Sequence, residues 1–331
     1  MASSEYWIEY YTLDGGTQLV NNDSATYIDI PLSFTKVARI IEENSELRVN
    51  SVERLGEGLE FQSFLVSKAW VFRFPKHVSE YLDPSAERVF SQNLKLSVSV
   101  PEIRFIWNQP WGYPEMISGY EYLPGTALEH CPSKELDQEF LAIRLGAVLT
   151  EIHAMNGVGV PSQSDQLVSL RTWSEDLDAQ LNCIADNVLS PTQRRAIKFY
   201  IDQYKFDLPS AESTLIHGDL GADHILLDEQ KQLSGIIDWS NHSKGNRYRD
   251  FVGIWRWGGD AFCARVLYHY PTEPSLEELA YVRVMGLVSC ISRVILLVEQ
   301  QSNQFWVRAR TLLEERLSEI TNRCPYETLG D

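Results

Sequence analysis

The chain has 331 residues, of which 44% are hydrophobic, and 29 Lys and Arg stand against 46 Asp and Glu, a formal net charge of −17. This apolar content excludes an intrinsically disordered chain. The excess of acid argues against nonspecific binding to nucleic acid or an anionic membrane, because phosphate groups attract Lys and Arg. The length suggests roughly two domains of ~150 residues, each able to bury a core. The acidity fits either a cationic partner or plain solubility.

The sequence also predicts a compartment. The segment MASSEYWIEYYTLDGG contains no Lys or Arg and no apolar run of the kind a signal peptide needs. The apolar stretch 284–298 is interrupted by polar residues and is shorter than the ~20 residues that a bilayer requires, so we expect a buried helix. The cysteines form no C-x-x-C pair and are odd in number: Cys131, Cys183, Cys263, Cys290 and Cys324. We therefore expect a cytoplasmic protein without membrane association.

In chain order, the pattern first predicts an extension and then a strand-rich part. Residues 1–32 alternate aromatic and polar residues around an Asp-Gly-Gly turn, which is typical of a hairpin, and contain five acidic residues and no basic one. Ser33 is expected to cap a helix over 34–44, whereas Asp83 and Pro84 are expected to begin another. Strands are predicted at 52–55, 64–66, 70–74, 103–107 and 115–123.

Beyond Gly125 the periodicity becomes helical. Helices are predicted at about 134–155, 169–187, 191–204, 249–257, 276–299 and 303–322, and a short β-rich insert at 214–237 interrupts them. A small strand-rich lobe followed by a large helical lobe is an α+β arrangement. We therefore expect three parts, namely an extension at 1–32, a small lobe at 33–124 and a helical lobe at 125–331.

The most specific pattern is LIHGDLGADHILLD at 215–228, followed by LSGIIDWSNHSKGNRYRDF at 233–251. Short apolar runs end there in polar loops, so Asp219, His224 and Asp238 are expected at strand ends or in a loop, where their side chains can converge. Two carboxylates and a possible metal ligand match phosphoryl transfer from a magnesium nucleotide. One group positions the hydroxyl nucleophile, and the others hold the ions that neutralise phosphate charge.

This segment resembles the catalytic and metal-binding loops of the aminoglycoside phosphotransferase family, whose pattern is H-G-D-x4-N, then I-D-W/F/L and then G-D-P-x-x-D. The resemblance implies a protein-kinase-like fold and phosphate transfer from ATP or GTP, with Mg²⁺, to a hydroxyl group. It implies that Asp219 is the catalytic base and that His217 orders the loop. Asp238 would bind the metal, and Asp250 would tie down the following helix.

Three positions depart from the family pattern, namely His224, Asn246 and Arg247. His224 stands where most members have Asn, and histidine there is similar to the aminoglycoside 2''- and macrolide 2'-phosphotransferase branches. A neutral imidazole can bind a metal, although oxygen ligands suit magnesium better. Gly245, Asn246 and Arg247 replace the usual G-D-P.

The small lobe resembles the nucleotide-clamping lobe of the same family. Gly56 and Gly58 lie between two strand-like runs, where backbone amides can lie over phosphates, and Ser63 is available to a phosphate. Val71 and Arg73 share one face of a strand by period-2 alternation. Arg73 resembles the kinase lysine that touches the α- and β-phosphates, and a guanidinium can bind phosphate bidentately while staying charged.

Glu87 is the candidate ion-pair partner of Arg73, although an ordinary solvent-facing Glu is an equal alternative. The segment GYPEMISGYEYLPG resembles the hinge between lobes, where backbone groups near Gly119, Tyr120 and Tyr122 would bind the nucleotide base. The segment LGAVLTEIHAM resembles a family helix whose final His, here His153, is expected to be structural and to face the catalytic loop. Trp239 is a candidate substrate contact.

Three functions follow as hypotheses. The first is a magnesium-dependent O-phosphotransferase for a cationic, aminoglycoside-like antibiotic, with acids converging beside Asp219 in an electronegative cleft. The second is a macrolide or small-metabolite kinase, which needs an apolar wall there. The third is a nucleotide-binding pseudokinase, motivated by the departures from the family pattern. We expect a small-molecule substrate, no nucleic-acid partner and a monomer or weak dimer. The acids available for a cationic pocket are Asp176, Asp178 and Asp260.

Overall fold

The computed structural model describes residues 7–11, 17–21, 31–57, 61–76, 84–155, 181, 188–202, 213–297 and 304–321. These residues form two compact units. The first contains the described residues up to Gly125 together with Ser234–Ser240, and the second contains the other described residues from Thr126 onward. The three-part division of the chain stays a prediction, and the sequence did not indicate that Ser234–Ser240 belongs with the first unit.

The first unit is built on a five-stranded antiparallel sheet in the order β3-β4-β5-β7-β6. The register places Arg73 of the central strand opposite Ser63 on one side and Ser118 on the other. Phe72 points to the opposite face and joins the buried core. The strands are β3 (Val52–Glu57), β4 (Phe61–Val66), β5 (Trp70–Pro75), β6 (Ile103–Trp107) and β7 (Ile117–Glu121).

Two helices accompany this sheet. Helix α1 (Phe34–Asn44) begins as predicted at Ser33, whose side chain accepts a hydrogen bond from the Lys36 amide at 3.2 Å. Its apolar face shares one core with the sheet. Helix α2 (Ser85–Asn93) has Pro84 itself as its N-cap, so the prediction that Pro84 is the first helical residue is wrong, and Asp83 lies outside the described residues.

Two further features complete the first unit. Strands β1 (Trp7–Tyr11) and β2 (Thr17–Asn21) pair antiparallel, which confirms the hairpin pattern of the extension, although its turn lies outside the described residues. The segment Ser234–Ser240 joins through Ser99, whose amide donates to the Ser234 carbonyl at 2.9 Å and whose carbonyl accepts from the Ile236 amide at 3.0 Å.

The second unit is mainly helical. Its helices are α3 (Gln138–Ala154), α4 (Pro191–Asp202), α5 (Arg249–Tyr268), α6 (Leu276–Leu296) and α7 (Gln304–Thr321). Short strands pair beside them, β8 (Thr126–Ala127) with β10 (Ile225–Leu227) and β9 (Ser213–Ile216) with β12 (Ser243–Asn246). Strand β11 (Leu233–Ile236) precedes β12. The order of strand-rich and helical parts confirms the α+β prediction.

Some sequence expectations changed at this level. Of the predicted helix at 169–187, Leu181 is the residue that the structure describes, and it is helical. Strand β12 was not predicted, because its sequence Ser-Lys-Gly-Asn has little strand propensity. No helix within the described ranges is both long enough and apolar enough to span a membrane.

Helix α5 runs further than predicted because it continues past a break at Gly259, where φ is 65° and ψ is −168°. Side chains of helix α7 satisfy backbone groups on both sides of this break. Arg316 donates to the Trp255 carbonyl at 3.4 Å, and Glu319 accepts from the Asp260 amide at 3.0 Å. The break is therefore capped at both ends, as separate helix termini would be.

Replacing Gly259 by Ala tests whether the break requires glycine. A Cβ at this position would overlap the side chains of Arg316 and Glu319, and its backbone conformation is available essentially to glycine alone. We expect Gly259→Ala to lower the free energy of unfolding by about 2–4 kcal/mol in chemical denaturation. The control is Gly56→Ala, because a Cβ there meets open space. Equal stability of the two variants would contradict a strained break.

Candidate active site

The loop between β9 and β10 presents one carboxylate to solvent. The Asp219 side chain is 54% exposed, whereas His217, two residues earlier, is fully buried. Gly218 between them has φ 85°, and a Cβ there would overlap the backbone of Asn241, so glycine is required. The local backbone therefore directs the Asp219 side chain to solvent while the residues just before it are buried.

The start of this loop is anchored by a buried carboxylate. Asp250 accepts hydrogen bonds from the backbone amides of His217 at 2.8 Å and Gly218 at 2.9 Å. His153 Nε2 lies 3.2 Å from the same carboxylate, and Arg249 Nε donates to the Gly218 carbonyl at 2.7 Å. The resemblance implied that Asp250 ties down the following helix. The structure places Asp250 in the first turn of helix α5, where its carboxylate binds the loop that carries Asp219.

The charge of Asp250 is stabilised despite its burial. Burial alone would raise the pKa of Asp250, but the hydrogen bond from His153 and the bonds from the loop hold that pKa below its ordinary value. Because a carboxylate accepts hydrogen bonds, the proton lies on Nε2 of His153, whose Nδ1 is 2.8 Å from the Tyr270 hydroxyl. His153 therefore has the structural position that the sequence predicts, acting on the loop through Asp250.

Two histidines shape the middle of the loop. His217 Nδ1 accepts from the Asp219 amide at 3.3 Å, and His224 Nδ1 lies 2.8 Å from the Asp219 carbonyl oxygen. A carbonyl accepts hydrogen bonds, so Nδ1 of His224 carries a proton and donates to the Asp219 carbonyl, and Nε2 is the nitrogen that can accept when the ring is neutral. The backbone of Asp219 is held from both sides by these two rings.

The far end of the loop has partners that sequence reasoning missed. Asp223 accepts from Arg293 Nη2 at 2.6 Å and lies 3.5 Å from Arg256 Nη2. Burial would raise the pKa of Asp223, but His224 and the two arginines hold it below its ordinary value. Arg256 and Arg293 lie 33 and 70 residues from Asp223 in sequence, so no local pattern could reveal the pairing.

In the first unit, Arg73 binds two carboxylates. Its Nη2 lies 2.5 Å from Glu87 and its Nη1 lies 3.5 Å from Asp238, while Nε donates to the Ser118 hydroxyl at 3.3 Å. Burial alone would lower the pKa of Arg73, but Glu87 and Asp238 raise it, so the guanidinium stays charged. Glu87 is 7% exposed, which excludes the solvent-facing alternative for this residue.

Aromatic rings flank the Arg73 guanidinium, whose carbon lies 5.1 Å from the Phe61 ring centroid and 5.7 Å from that of Tyr120. Burial raises the pKa of the Tyr120 hydroxyl to about 12, so it stays protonated at neutral pH. Sequence reasoning missed Phe61 and Ser118 as neighbours of Arg73, although both follow from strand register.

Asp238 has a backbone conformation that is uncommon for a side-chain-bearing residue, with φ 64°. Its side chain is 40% exposed and accepts from the Ser240 hydroxyl at 2.9 Å. Trp239 beside it is fully buried, donates from Nε1 to the Ile236 carbonyl and packs against Phe90. The expectation that Trp239 contacts substrate is therefore wrong in this structure.

Among the other residues predicted to bind the nucleotide, Gly56, Ser63 and Val71 lie in strands of the sheet. Gly56 follows a bulge in β3 and pairs with Ser63, and Gly58 lies outside the described residues. Val71 is buried and pairs with Tyr120.

The predicted hinge positions differ from one another. Gly119 packs against the Phe72 ring, which leaves no room for a side chain. The Tyr122 amide donates to the Ala69 carbonyl at 2.8 Å, so this amide is already engaged within the unit.

Asn246 explains how the chain tolerates its departure from G-D-P. Its Oδ1 accepts from the Tyr248 amide at 2.9 Å, in the turn that leads into helix α5. An Asn oxygen makes this local bond as an Asp oxygen would. Arg247 donates to the Thr272 hydroxyl at 3.3 Å and so contacts the other end of the same helical region.

A magnesium ion would need few protein ligands here. No group of three or more His, Cys, Asp or Glu side chains in the described ranges could hold a metal ion by itself. Mg²⁺ in nucleotide sites takes one or two carboxylates and completes its shell with phosphate oxygens and water. The part-exposed Asp238 carboxylate fits that donor set, and the tautomer of His224 gives an acceptor nitrogen at Nε2.

Comparisons with known proteins bear on the family and the fold of the chain. A curated relative, an uncharacterised Bacillus subtilis protein named YcbJ, is 24% identical over 234 residues, covering 64% of this chain and 72% of its own length. The GDP and kanamycin complex of APH(2")-IIia matches with a TM-score of 0.64 at 21% identity, covering 86% of this chain and 98% of that one. A macrolide 2'-phosphotransferase of type I matches with a TM-score of 0.59 at 17% identity, covering 85% and 99%.

The two solved structures support the kinase-like fold that the motifs predicted. The sequence model of the phosphotransferase enzyme family matches residues 51–281, which include the sheet of the first unit and the catalytic loop. This chain belongs to the phosphotransferase enzyme family.

Proposed function

We propose that this chain is a magnesium-dependent nucleotide O-phosphotransferase that phosphorylates a hydroxyl group of a small molecule. The observation that carries the proposal is the half-exposed Asp219 on a loop whose backbone is fixed by Asp250, His217 and His224. Little covalent chemistry is required of the protein in phosphoryl transfer, so positioning and charge stabilisation supply most of the rate.

Asp219 is the proposed catalytic base. Its carboxylate would accept the hydrogen bond of the acceptor hydroxyl, orient the oxygen towards the γ-phosphate and take the proton as the new bond forms. A loop that moved freely would lose the orientation of the Asp219 carboxylate towards the acceptor hydroxyl. The two hydrogen bonds to the Asp219 backbone limit the motion of the loop. His217 contributes by ordering the loop.

The nucleotide is proposed to bind the first unit. Arg73 presents a permanently charged guanidinium. Its Nη2 lies 2.5 Å from a carboxylate oxygen of Glu87, and this ion pair orients the guanidinium. Gly56, Gly58 and Ser63 would lie over the phosphates, and backbone groups of the strand that contains Gly119 and Tyr120 would receive the base. Either ATP or GTP fits this description, because the recognition would use backbone groups.

Asp238 and His224 are the proposed magnesium ligands. When bound, the ion would neutralise phosphate charge that builds up during transfer. Asp238 would bind the ion through its carboxylate, which Arg73 and Ser240 orient. His224 would bind the ion through Nε2.

Charge pairing around the loop favours one acceptor class over another. A polycationic aminoglycoside needs several uncompensated acids beside Asp219. Among the described residues, Asp223 is paired with Arg256 and Arg293, and Asp260 with Arg283 at 2.7 Å. These pairings favour an acceptor of low charge, of the macrolide or metabolite type, over a polycationic aminoglycoside. Asp176 and Asp178 lie outside the described residues.

Phosphate transfer from ATP and from GTP, measured against aminoglycosides, macrolides and common hydroxylated metabolites, tests this order of preference. We expect turnover with a macrolide or another acceptor of low charge to exceed turnover with any aminoglycoside. Higher turnover with an aminoglycoside would reverse the preference, while turnover with none, together with intact nucleotide binding, would favour the pseudokinase.

The role of Asp219 as the base predicts a loss of kcat when its carboxylate is removed. Asp219→Asn keeps the shape of the side chain but removes the base, so we expect kcat to fall by about 10²–10⁴ with the nucleotide KM little changed. The measurement is steady-state magnesium-dependent turnover, with circular dichroism to show that the variant is folded. Native turnover in a folded Asp219→Asn protein would refute the mechanism.

Arg73 predicts a loss of nucleotide affinity. Arg73→Lys keeps the charge but removes the planar fork that reaches Glu87, Asp238 and a phosphate together. We expect the nucleotide KM to rise about tenfold or more, corresponding to about 1.4 kcal/mol. Arg104→Lys, in strand β6 of the same sheet and paired with Glu102 at 2.8 Å, is the control and should leave the KM unchanged.

His224 has two separable contributions. If it binds the metal, His224→Ala should raise the Mg²⁺ concentration for half-maximal turnover about fivefold or more, and His224→Asn should restore it, because an amide oxygen suits magnesium. If the alanine variant instead loses kcat with an unchanged magnesium dependence, the ring acts through its hydrogen bond to the Asp219 carbonyl and is not a ligand.

A further inference from the structure

We propose that Asp223, Arg256 and Arg293 form a second anchor of the catalytic loop, and that Asp223 and Arg293 are positioning residues for Asp219. The inference rests on the proposed role of Asp219 as the base. Asp250 fixes the loop where it leaves β9, and the second anchor fixes it five residues later, before it enters β10.

The anchor is a continuous chain of contacts from the loop to two helices. Asp223 Oδ2 accepts from Arg293 of helix α6 at 2.6 Å, and Asp223 Oδ1 lies 3.5 Å from Arg256 of helix α5. Arg256 in turn donates from Nη1 to the Ser289 hydroxyl of α6 at 2.8 Å. One loop carboxylate therefore joins both helices.

Backbone packing leaves the same segment little freedom. A Cβ on Gly221, midway between Asp219 and Asp223, would overlap the Asp223 carboxylate and approach Arg256 Nη2 to 2.8 Å. A Cβ on Gly253, one turn before Arg256, would overlap the Leu220 carbonyl. The two glycines allow the loop backbone to lie directly on helix α5, where the arginine can reach Asp223.

The anchor also sets the charge around Asp219. Arg256 is 7% exposed and Arg293 has a side-chain exposure of 38%, and the charges of both arginines interact with Asp219 as well as with Asp223. Two cations thus face two carboxylates on one loop. Removing Asp223 would take its carboxylate partner from the buried Arg256, and removing Arg293 would leave Asp223 with the longer contact to Arg256 alone. Either change would shift the loop that carries Asp219.

A matched ion pair on the same helices separates positioning from general stability. Arg283 of helix α6 binds Asp260 of helix α5 at 2.7 Å, close to the 2.6 Å of Arg293 with Asp223, and its side chain is 25% exposed. It joins the same two helices at a position ten residues before Arg293 on helix α6. Arg283→Met is therefore the control for Arg293→Met.

The experiment measures magnesium-dependent hydrolysis of ATP and GTP with water as acceptor, because the natural acceptor is not identified. We expect Arg293→Met and Asp223→Asn to lower kcat about 10–100-fold with the nucleotide KM within about twofold of native. Arg293→Lys, which keeps the charge, should recover a large part of kcat. Arg283→Met should lower the melting temperature by a similar amount as Arg293→Met yet leave kcat within about twofold.

Asp223→Glu keeps the test valid if the neutral variants fold poorly, because it retains the charge and displaces the carboxylate by one methylene. A folded Asp223→Glu protein with reduced kcat and native KM supports the inference. Equal kcat losses for Arg293→Met and Arg283→Met would overturn the inference. A rise in the nucleotide KM of Arg293→Met with an unchanged kcat would overturn it as well. Native hydrolysis in Asp219→Asn would instead overturn the proposed function, and this result is independent of the arginine variants.

Discussion

The catalytic loop depends on one buried carboxylate. Asp250 is fully buried, a position in which an uncompensated charge would be costly, and its stability comes from two loop amides and the ring of His153. The exchange is mutual, since the amides of His217 and Gly218 would otherwise be buried donors without an acceptor. Pairing of β9 with β12 brings the partners together, because Ile216 lies opposite Ser243. Loop, strand pair and helix α5 therefore form a single arrangement.

The parts of this arrangement that could be predicted from sequence are those with a local signal. Alternation placed Arg73 on its strand, Ser33 marked the start of α1, and the family resemblance of the segment from His217 to Asp250 indicated the loop. Local patterns carry this information because strand and helix periodicity report directly on which side faces the core.

The rest depended on contacts between distant residues. Nothing in the sequence around Arg293 distinguishes an arginine that binds Asp223 from one that ends a helix in solvent. Trp239 follows an exposed Asp, yet its ring is buried, because the burial comes from Phe90 of helix α2. The helix predicted at 249–257 instead resumes after the break at Gly259, where side chains of α7 satisfy backbone groups on both sides. Tertiary partners decided each of these cases.

The segment Ser234–Ser240 gives the fold a consequence for synthesis. The strand-rich unit includes this segment, which reaches Ser99 through two backbone hydrogen bonds and supplies Asp238 to Arg73. During translation the ribosome must therefore release about 140 further residues after Ser99 before that unit has all its parts. A nascent chain in which strands β3 to β7 are complete still lacks the contact between Arg73 and Asp238. The strand-rich unit therefore receives its last segment after helices α3 and α4 have been made but before α5, α6 and α7 begin, so its completion precedes that of the helical unit.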